Sequence, residues 1–427
     1  MRPGARAAAA IEILMDVEAR KRPAAEAIKD WALSHRFAGS KDRAAIGDFV
    51  FGALRWKASS AWRMGEDTPR AWVLGAWRWG FLLSPEEIAP LCAEDAHAPK
   101  LSDAELRLLQ EGSLHGAPAW VEGNYPEWLE ASFVRAFGDE RIEEGMALAA
   151  PAPLDLRANA LKTTREKLIA ALAESPKLSE APIATPYAAQ GVRIAWSQGR
   201  SFPWASEQSF VKGWFEVQDE GSQLAVALSG VQPGMQVADV CAGGGGKTLA
   251  LAAAMENKGQ IYAFDIDGRR LAPMKERLDR AGARNVQIRA PARTRDVLED
   301  LRERMDLVLV DAPCSGSGVW RRAPDSKWRL RPAAIAKRQE EQAEALARGA
   351  ALVKPGGRLV YVTCSVLPEE NGDRVGAFLA ENRSFSRASL ATEAAGRLEA
   401  GGPGSVQFTP LKTGCDGFFV AALTRSA

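Results

Sequence analysis

The chain has 427 residues, of which 46% are hydrophobic and 26% are charged, and its formal net charge at pH 7 is +1. This length allows roughly two to four domains, and the composition is ordinary for a soluble globular protein. We find no uninterrupted apolar span of the roughly 18 residues that a membrane helix needs. Glu12 interrupts the apolar stretch near the start, which argues against a secretory signal.

The cysteines and histidines argue against a disulfide framework and against a metal site. The five cysteines are far apart, odd in number and form no C-x-x-C pair, a pattern that fits a reducing cytoplasm. The three histidines lie in the first third of the chain and show no metal-ligand spacing. We therefore expect a cytoplasmic protein without a bound metal.

Apolar residues at helical intervals predict an all-α segment over residues 1–118. Within it, Ser102 is expected to cap a helix that begins with D-A-E-L-R-L-L. Residues 119–215 combine a helix from Pro126 to Phe137 with short strands, which indicates a small α/β connector domain.

Residues 216–427 alternate between strands and helices, which is typical of a doubly wound, mostly parallel sheet. The predicted strands span residues 235–241, 260–265, 286–290, 305–312, 358–364 and 418–423. Ligands of such sheets bind outside the carboxyl ends of the strands, so functional groups are expected there.

The first of these strands runs into the glycine loop C-A-G-G-G-G-K-T, from Cys241 to Thr248. Four consecutive glycines let the backbone approach a ligand closely, and the helix that starts near Lys247 offers free N–H groups. The second strand ends at Asp265, whose carboxylate can accept hydrogen bonds from both hydroxyls of a ribose. The loop fits a P-loop poorly. These features favour a nucleoside cofactor and leave NAD and S-adenosylmethionine equally open.

Two cysteines follow the fourth and fifth strands, Cys314 in V-L-V-D-A-P-C-S-G-S-G and Cys364 in Y-V-T-C-S. An isolated cysteine is most often a buried inert thiol, but two at neighbouring strand ends favour chemistry, with Asp311 and Lys247 converging on the same place. A thiolate that adds to carbon-6 of a pyrimidine makes carbon-5 able to attack a sulfonium methyl group. The residues alone leave open which cysteine attacks.

These motifs resemble those of the Nop/Sun family of RNA (cytosine-5) methyltransferases, and most of all its bacterial ribosomal RNA members. The matching stretches include L-D-L-R-A-N-A-L-K, C-A-G-G-G-G-K-T, D-A-P-C-S-G-S-G, V-T-C-S-V-L-P-E-E-N and D-G-F-F-V-A. The helical front, with D-R-A-A-I-G-D-F-V-F-G-A-L-R, resembles the RNA-binding NusB-like domain of bacterial members. The resemblance implies an all-α NusB-like domain, the α/β connector and a Rossmann-like class I methyltransferase domain.

The resemblance also implies roles for individual residues. In this family the nucleophile is the T-C-S cysteine, here Cys364, and the D-A-P-C cysteine, here Cys314, assists release of the methylated product. Asp311 would lie between cofactor and base, with Lys247 as a further catalytic residue. The residues expected to bind S-adenosylmethionine are Cys241, Ala242, Gly243, Gly244, Gly245, Gly246, Lys247, Asp265, Arg270 and Asp311.

Three stretches depart from the family pattern, one of them T-G-C-D-G-F, where the family often has H-G-T-D-G-F and Cys415 takes the threonine slot. Gly244 stands where the family has a proline in A-x-P-G-G-K, which loosens the loop entropically without removing an N–H donor. After the third strand, Ala290 and Pro291 replace an aspartate that the family commonly places near the adenine.

The segment W-R-R-A-P-D-S-K-W-R-L-R, from Trp320 to Arg331, contains five basic residues and two tryptophans. Such a composition suits phosphate contacts and base stacking, although a solvated loop with its tryptophans in the core fits it too. The residues predicted to bind RNA are Arg321, Arg322, Lys327 and Arg329.

The sequence thus predicts an RNA (cytosine-5) methyltransferase whose partner is ribosomal RNA, or alternatively transfer RNA. A methyltransferase acting on protein or small molecules would not need two thiols at its site. A non-catalytic RNA-binding or assembly factor that keeps the fold is the rival from another functional class.

Overall fold

The computed structural model describes residues 1–93, 97–292, 294–391 and 404–427. These residues divide into two compact units. The first unit comprises Met1–Ala150 and Trp320–Arg331, and the second comprises Pro151–Val319 and Pro332–Ala427. The chain therefore leaves the second unit after Val319 and returns to it at Pro332.

The first unit is built from helices around one apolar core. Its α-helices are α1 (Pro3–Arg20), α2 (Ala24–Ser34), α3 (Ser40–Arg55), α4 (Lys57–Met64), α5 (Pro69–Gly75), α6 (Pro85–Ala93), α7 (Asp103–Glu111), α8 (Ala119–Glu122), α9 (Glu130–Phe137), α10 (Arg141–Ala149) and α17 (Pro324–Arg329). Ile13, Ile46 and Trp72 are buried in the core, as the helical spacing predicts. The predicted cap is confirmed, because the Ser102 hydroxyl accepts a hydrogen bond from the N–H of Glu105 at 3.2 Å.

The first unit continues past the predicted boundary at residue 118. The Oδ1 atom of Asn124 accepts hydrogen bonds from the main-chain N–H and the hydroxyl of Ser59, at 3.1 and 3.0 Å. The rings of Tyr125 and Phe133 stack with centroids 4.1 Å apart. By their contacts, helices α8 to α10 therefore group with the first unit, whose compact part extends to residue 150, beyond the predicted boundary at residue 118.

The second unit contains two sheets with helices between and around their strands. Its α-helices are α11 (Arg165–Ala173), α12 (Trp196–Gly199), α13 (Gln208–Val211), α14 (Glu220–Ala227), α15 (Gly246–Ala254), α16 (Met274–Ala281), α18 (Pro332–Ala350), α19 (Gly372–Glu381) and α20 (Pro410–Thr413). Its strands are β1 (Leu154–Ala158), β2 (Ile183–Ala184), β3 (Gly191–Ile194), β4 (Phe215–Val217), β5 (Gln236–Asp239), β6 (Gln260–Phe264), β7 (Val286–Arg289), β8 (Met305–Asp311), β9 (Val353–Thr363), β10 (Phe385–Arg387), β11 (Ser405–Phe408) and β12 (Phe418–Arg425). Among the described helices of either unit, none is long and apolar enough to cross a bilayer.

The smaller sheet is antiparallel, in the order β2-β3-β1-β4, and falls in the region predicted as an α/β connector. The larger sheet has the order β10-β12-β9-β8-β5-β6-β7, with β11 paired to β12. Strands β5 to β9 run parallel, and β12 runs antiparallel to β9. The predicted Rossmann-like doubly wound sheet is confirmed, although β9 starts at Val353 rather than at residue 358.

The strand order reverses between β5 and β8. From β5 the chain proceeds outward through β6 to β7, whereas β8 and β9 lie on the other side. Such a switch point opens a crevice at the carboxyl ends of the strands, where open α/β sheets bind their ligands.

Candidate active site

Four parallel strands deliver the predicted site residues to one edge of the larger sheet. In the register, Asp239 pairs with Leu309, and Asp311 pairs with Val362. The glycine loop follows β5, Asp265 follows β6, and the two cysteines follow β8 and β9. All these groups therefore leave the sheet at its carboxyl edge, on both sides of the switch point.

The glycine loop is shaped by two residues with left-handed backbone angles, Gly243 with φ 50° and Gly245 with φ 86°. At Gly245 a Cβ atom would come within 2.9 Å of the Cγ atom of Met274, so only glycine fits there. Helix α15 begins at Gly246, and its first N–H groups point out of the loop. This is the arrangement that binds anionic or polar parts of a nucleoside ligand.

Asp265 is buried and binds the glycine loop directly. Its Oδ2 atom accepts a hydrogen bond from the N–H of Gly243 at 3.0 Å, and its Oδ1 atom accepts one from the N–H of Asp267 at 3.0 Å. The guanidinium of Arg270 lies 3.0 Å from Oδ2, with 58% of its side chain exposed. A carboxylate accepts about four hydrogen bonds. Because the exposed Arg270 is able to move, the Asp265 carboxylate has acceptor sites that fit the two hydroxyl groups of a ribose.

Asp239, which is buried, and Cys241, which is partly buried, lie at the start of the glycine loop. Burial raises the pKa of Asp239 to about 7, although Thr248 donates to its Oδ2 atom at 2.7 Å. Burial also raises the pKa of Cys241, and the negative charges of Asp311, Asp239 and Asp265 act in the same direction. A raised pKa disfavours the thiolate form of Cys241.

The buried Lys247 forms an ion pair with the partly exposed Asp311 across the switch point, with Nζ and Oδ2 2.8 Å apart. Burial alone would lower the pKa of Lys247, but the charge of Asp311 and its hydrogen bond outweigh burial and raise it. A negative charge on Cys364 also contributes to that increase. Lys247 is therefore a fixed positive charge that attracts both a carboxylate and a thiolate.

The two predicted cysteines lie side by side. Their sulfur atoms are 3.4 Å apart and share a hydrogen bond. The hydrogen bond to Cys364 is the largest cause of a pKa well above the ordinary value at Cys314, followed by burial and by the negative charges of Cys364 and Glu370. The pair is thus asymmetric, because Cys314 holds its proton while its neighbour faces the positive charge of Lys247.

Sequence reasoning missed a residue that holds the glycine loop. The Nη1 atom of Arg277 donates to the carbonyl of Gly244 at 2.5 Å, and Nη2 donates to Glu216 at 2.8 Å. This anchor restrains the position where the family pattern has proline. Its only sequence signal is a basic residue in the helix after β6.

The basic segment Trp320–Arg331 belongs to the first unit, whereas both cysteines belong to the second. Arg322 is exposed, but Arg321 is buried. Arg329 forms an ion pair with Asp325 at 2.9 Å. Trp320 is buried and stacks on Phe133.

Lys327, which was predicted to contact RNA, is 1% exposed. Its Nζ atom donates to the main-chain carbonyls of Arg55 and Asn124 at 3.0 and 2.7 Å. Burial, followed by the like charge of Arg55, lowers its pKa well below the ordinary value. This geometry gives Lys327 a structural role in the first unit.

The described residues contain no group of three or more histidine, cysteine or acidic side chains able to hold a metal ion. The functional groups brought together are instead two thiols, one ammonium group and buried carboxylates. With the glycine loop, they lie at the carboxyl edge of the sheet, where open α/β sheets bind their ligands.

Comparisons with known proteins match this site to one family. Residues 226–424 match the model of the 16S rRNA methyltransferase RsmB/F family, and residues 125–197 match the ferredoxin-like domain of RsmF/B-like methyltransferases. The chain is 34% identical over 305 residues to a probable ribosomal RNA small subunit methyltransferase B of Synechocystis, covering 71% of this chain and 67% of that protein.

Solved structures show the same fold. PH0851 superposes with a TM-score of 0.72 at 23% identity, covering 99% of each chain. NSun6 from Pyrococcus horikoshii, solved with SFG, an analogue of S-adenosylmethionine, has a TM-score of 0.60 at 22% identity and covers 71% of this chain and 98% of its own. The matched family model and the curated relative together show that the chain belongs to the RsmB/F family of S-adenosylmethionine-dependent 16S rRNA methyltransferases.

Proposed function

We propose that this chain methylates carbon-5 of a cytosine in ribosomal RNA through a covalent intermediate on Cys364. The observation that carries the proposal is the pair of sulfur atoms 3.4 Å apart beside the Lys247–Asp311 ion pair. Methylation of an exocyclic nitrogen or a ribose oxygen needs no thiol. Two thiols at the cofactor edge of the sheet therefore favour attack on a pyrimidine ring.

Cys364 is the attacking residue in this proposal. Its thiolate adds to carbon-6 of cytosine, so that a sulfur–carbon bond forms and electron density moves to carbon-5. When bound, S-adenosylmethionine supplies the methyl group that carbon-5 accepts. The thiolate is the form that attacks, and Lys247 interacts electrostatically with Cys364.

Cys314 then assists elimination, and its environment changes at the step where it is needed. Its raised pKa arises first from the hydrogen bond to Cys364, and the charge of that sulfur adds to it. Both causes are lost once the sulfur of Cys364 is bonded to carbon-6, whereas burial and the charge of Glu370 remain. After giving its own proton to water, Cys314 takes the proton from carbon-5, while the sulfur–carbon bond breaks, Cys364 leaves as a thiolate and the ring is restored.

Asp311 and the glycine loop orient the reactants. Asp311 lies at the end of β8 between the glycine loop and the cysteine pair, where a carboxylate accepts a hydrogen bond from the cytosine amino group. Asp265, with Arg270 displaced, would hold the ribose of the cofactor. The loop from Cys241 to Gly246 would surround the rest of it.

The helical first unit is proposed as the NusB-like RNA-binding part. Arg322 is exposed and Arg329, which is paired with Asp325, is partly exposed, so solvent and phosphates can reach both side chains. Arg321 is also proposed to contact RNA, although it is buried. Lys327 instead stabilises the fold of the first unit.

The experiment is to incubate the purified chain with labelled S-adenosylmethionine and either 16S rRNA or transfer RNA, and to identify the methylated nucleoside by mass spectrometry. We expect 5-methylcytidine in 16S rRNA. Cys364→Ala should abolish both methylation and covalent RNA adducts on denaturing gels, whereas Cys314→Ala should accumulate the adduct.

The control is Cys92→Ala, a buried cysteine of the first unit, which should methylate like the unsubstituted chain. Adducts on Cys314 instead of Cys364 would overturn the assignment of the nucleophile. A different methylated nucleoside would overturn carbon-5 as the target, and methylated transfer RNA alone would change the substrate. A chain that binds RNA but no S-adenosylmethionine would favour the assembly-factor alternative.

A further inference from the structure

Glu370 is a buried carboxylate that the mechanism above does not use. It ends a short 3₁₀ helix, Pro368–Glu370, shortly after β9, and its relative exposure is 0%. Burying a carboxylate is costly unless several donors bind it. The groups that donate hydrogen bonds to this carboxylate therefore indicate its role.

Four uncharged donors bind the Glu370 carboxylate, two at each oxygen. The Oε1 atom accepts from the N–H of Ser315 at 2.8 Å and from Nε2 of Gln342 at 3.1 Å. The Oε2 atom accepts from the hydroxyls of Ser315 at 2.5 Å and Ser365 at 2.6 Å. Ser315 directly follows Cys314, and Ser365 directly follows Cys364.

Further hydrogen bonds depend on this arrangement. Gln342 also donates to the carbonyl of Pro313 at 3.0 Å, on the other side of Cys314. Ser365 shares a hydrogen bond with Ser317 at 2.9 Å, and the N–H of Gly318 donates to the carbonyl of Cys364 at 3.0 Å. One carboxylate thus joins the backbone around both cysteines, although they are separated by 50 positions.

The charge of Glu370 also acts on the chemistry of the pair. It is among the causes that raise the pKa of Cys314, after the hydrogen bond to Cys364, burial and the charge of Cys364. A negative charge on this side therefore opposes ionisation of Cys314.

We propose that Glu370 is the positioning residue of the cysteine pair, holding the loops around Cys314 and Cys364 so that the two sulfur atoms stay in contact. This inference rests on the proposed function for its effect on methylation, but the sulfur–sulfur contact itself is measurable without RNA or cofactor. Sequence reasoning did not single out this glutamate, although it lies in the P-E-E-N stretch after T-C-S.

A carboxylate has acceptor sites for all four of these donors. Glu370→Gln keeps nearly the same shape, but its amide nitrogen would face two hydrogen-bond donors instead of accepting from them. The two cysteine loops would then separate, and the negative charge beside Cys314 would be lost. Glu369→Gln makes the same chemical change one position earlier and is the matched control.

The test measures disulfide formation between Cys314 and Cys364 with the oxidant diamide, which is reduced as the two thiols lose two protons and two electrons. Peptide mapping identifies the cross-linked pair. We expect Glu370→Gln to form this disulfide at least about tenfold more slowly than the unsubstituted chain, because sulfur atoms must approach to about 2.05 Å. Glu369→Gln should cross-link at the original rate.

In parallel, kcat and KM for methylation are measured. Glu370→Gln should lower kcat at least about tenfold and change both KM values less than about threefold, with a similar melting temperature. In a Cys314→Ala background it should also slow formation of the RNA adduct. A loss confined to cofactor affinity or melting temperature would point to a merely structural role and overturn the inference.

Unchanged cross-linking in Glu370→Gln would overturn the inference whatever happens to kcat. If the unsubstituted chain methylates no RNA yet cross-linking still depends on Glu370, the proposed function fails and the positioning role stands. If Glu370→Gln does not fold, Ser365→Ala removes one of the four donors and should slow cross-linking about threefold. An unchanged rate in that variant would also overturn the inference.

Discussion

Two buried lysines, Lys247 and Lys327, lie one in each compact unit and differ in the groups that surround their ammonium groups. Lys247 lies 2.8 Å from Asp311 in the second unit, and this pairing raises its pKa despite burial. Lys327 in the first unit donates to two main-chain carbonyls, and burial lowers its pKa. Both were predicted from sequence as functional residues, yet only Lys247 stands beside groups able to react.

The difference lies in the partners and not in the degree of burial. A carboxylate keeps an ammonium group charged in a poorly solvated place, where its field acts strongly on a developing charge. Main-chain carbonyls satisfy the hydrogen bonds of a lysine without compensating its charge. A buried lysine therefore marks a candidate active site only when a countercharge is fixed beside it.

The largest effect is expected for Lys247→Met, which removes the charge but keeps the apolar stem. Methylation should fall at least about 100-fold, because Asp311 loses its partner and the thiolate of Cys364 loses its attracting charge. Single-turnover methylation measures the loss. Lys258→Met, at an exposed lysine of the same unit, is the control, and equal rates in both variants would remove Lys247 from the mechanism.

Asp311→Asn should leave Lys247 buried without a countercharge, in the situation of Lys327. Burial would then dominate, so that the pKa of Lys247 falls below its ordinary value, and methylation should drop about 10- to 100-fold. NMR titration of ¹³C-labelled lysine side chains reports the pKa. Asp306→Asn breaks a more exposed ion pair with Lys354 and should leave both quantities unchanged. A raised pKa persisting in Asp311→Asn would contradict this account.

Lys327→Met should act on stability and not on methylation. The carbonyls of Arg55 and Asn124 would lose their donor, which costs about 1–3 kcal/mol of the free energy of unfolding. Chemical denaturation measures this cost, with Lys29→Met at an exposed position of the same unit as the control. A methylation defect at temperatures where the variant is folded would return Lys327 to the RNA-binding surface.

The cost of Lys327→Met should grow with pH. Because the folded pKa of Lys327 is lowered, the unfolded chain binds a proton that the folded chain does not, from that lowered value up to about 10.4. Stability of the unsubstituted chain relative to the variant therefore increases as pH rises through this window. Denaturation at several pH values between 7 and 10 checks the sign of this change. A stability difference that decreases with pH would contradict a lowered pKa of Lys327 in the folded chain.

The sheet and its functional edge were predictable from sequence because their signals are local. Apolar runs placed the strands that end near Asp239, Asp265 and Asp311 within a few residues of those observed. Once the strands are parallel neighbours, Cys314 and Cys364 must emerge at the same edge. The contact between their sulfur atoms follows from strand order as much as from the side chains.

The parts that sequence did not predict depend on long-range contacts. Lys327 binds the carbonyl of Asn124, 203 positions earlier, so composition alone made a structural lysine look like a phosphate contact. Glu370 binds residues on two loops, and no spacing rule identifies such a carboxylate. The packing of α8 to α10 with the first unit is likewise a long-range contact that local periodicity does not contain.

The excursion of the chain between Val319 and Pro332 has a consequence for dividing this protein. The segment Trp320–Arg331 lies in sequence between the two cysteines, yet its buried residues Trp320 and Lys327 pack in the helical unit. A fragment that begins at residue 151 would retain this segment without its partners, exposing a tryptophan and a lysine that are meant to be enclosed. Truncation at residue 151 is therefore expected to yield a product that folds poorly and aggregates. To express the second unit alone, the segment Trp320–Arg331 would first have to be replaced by a short polar loop.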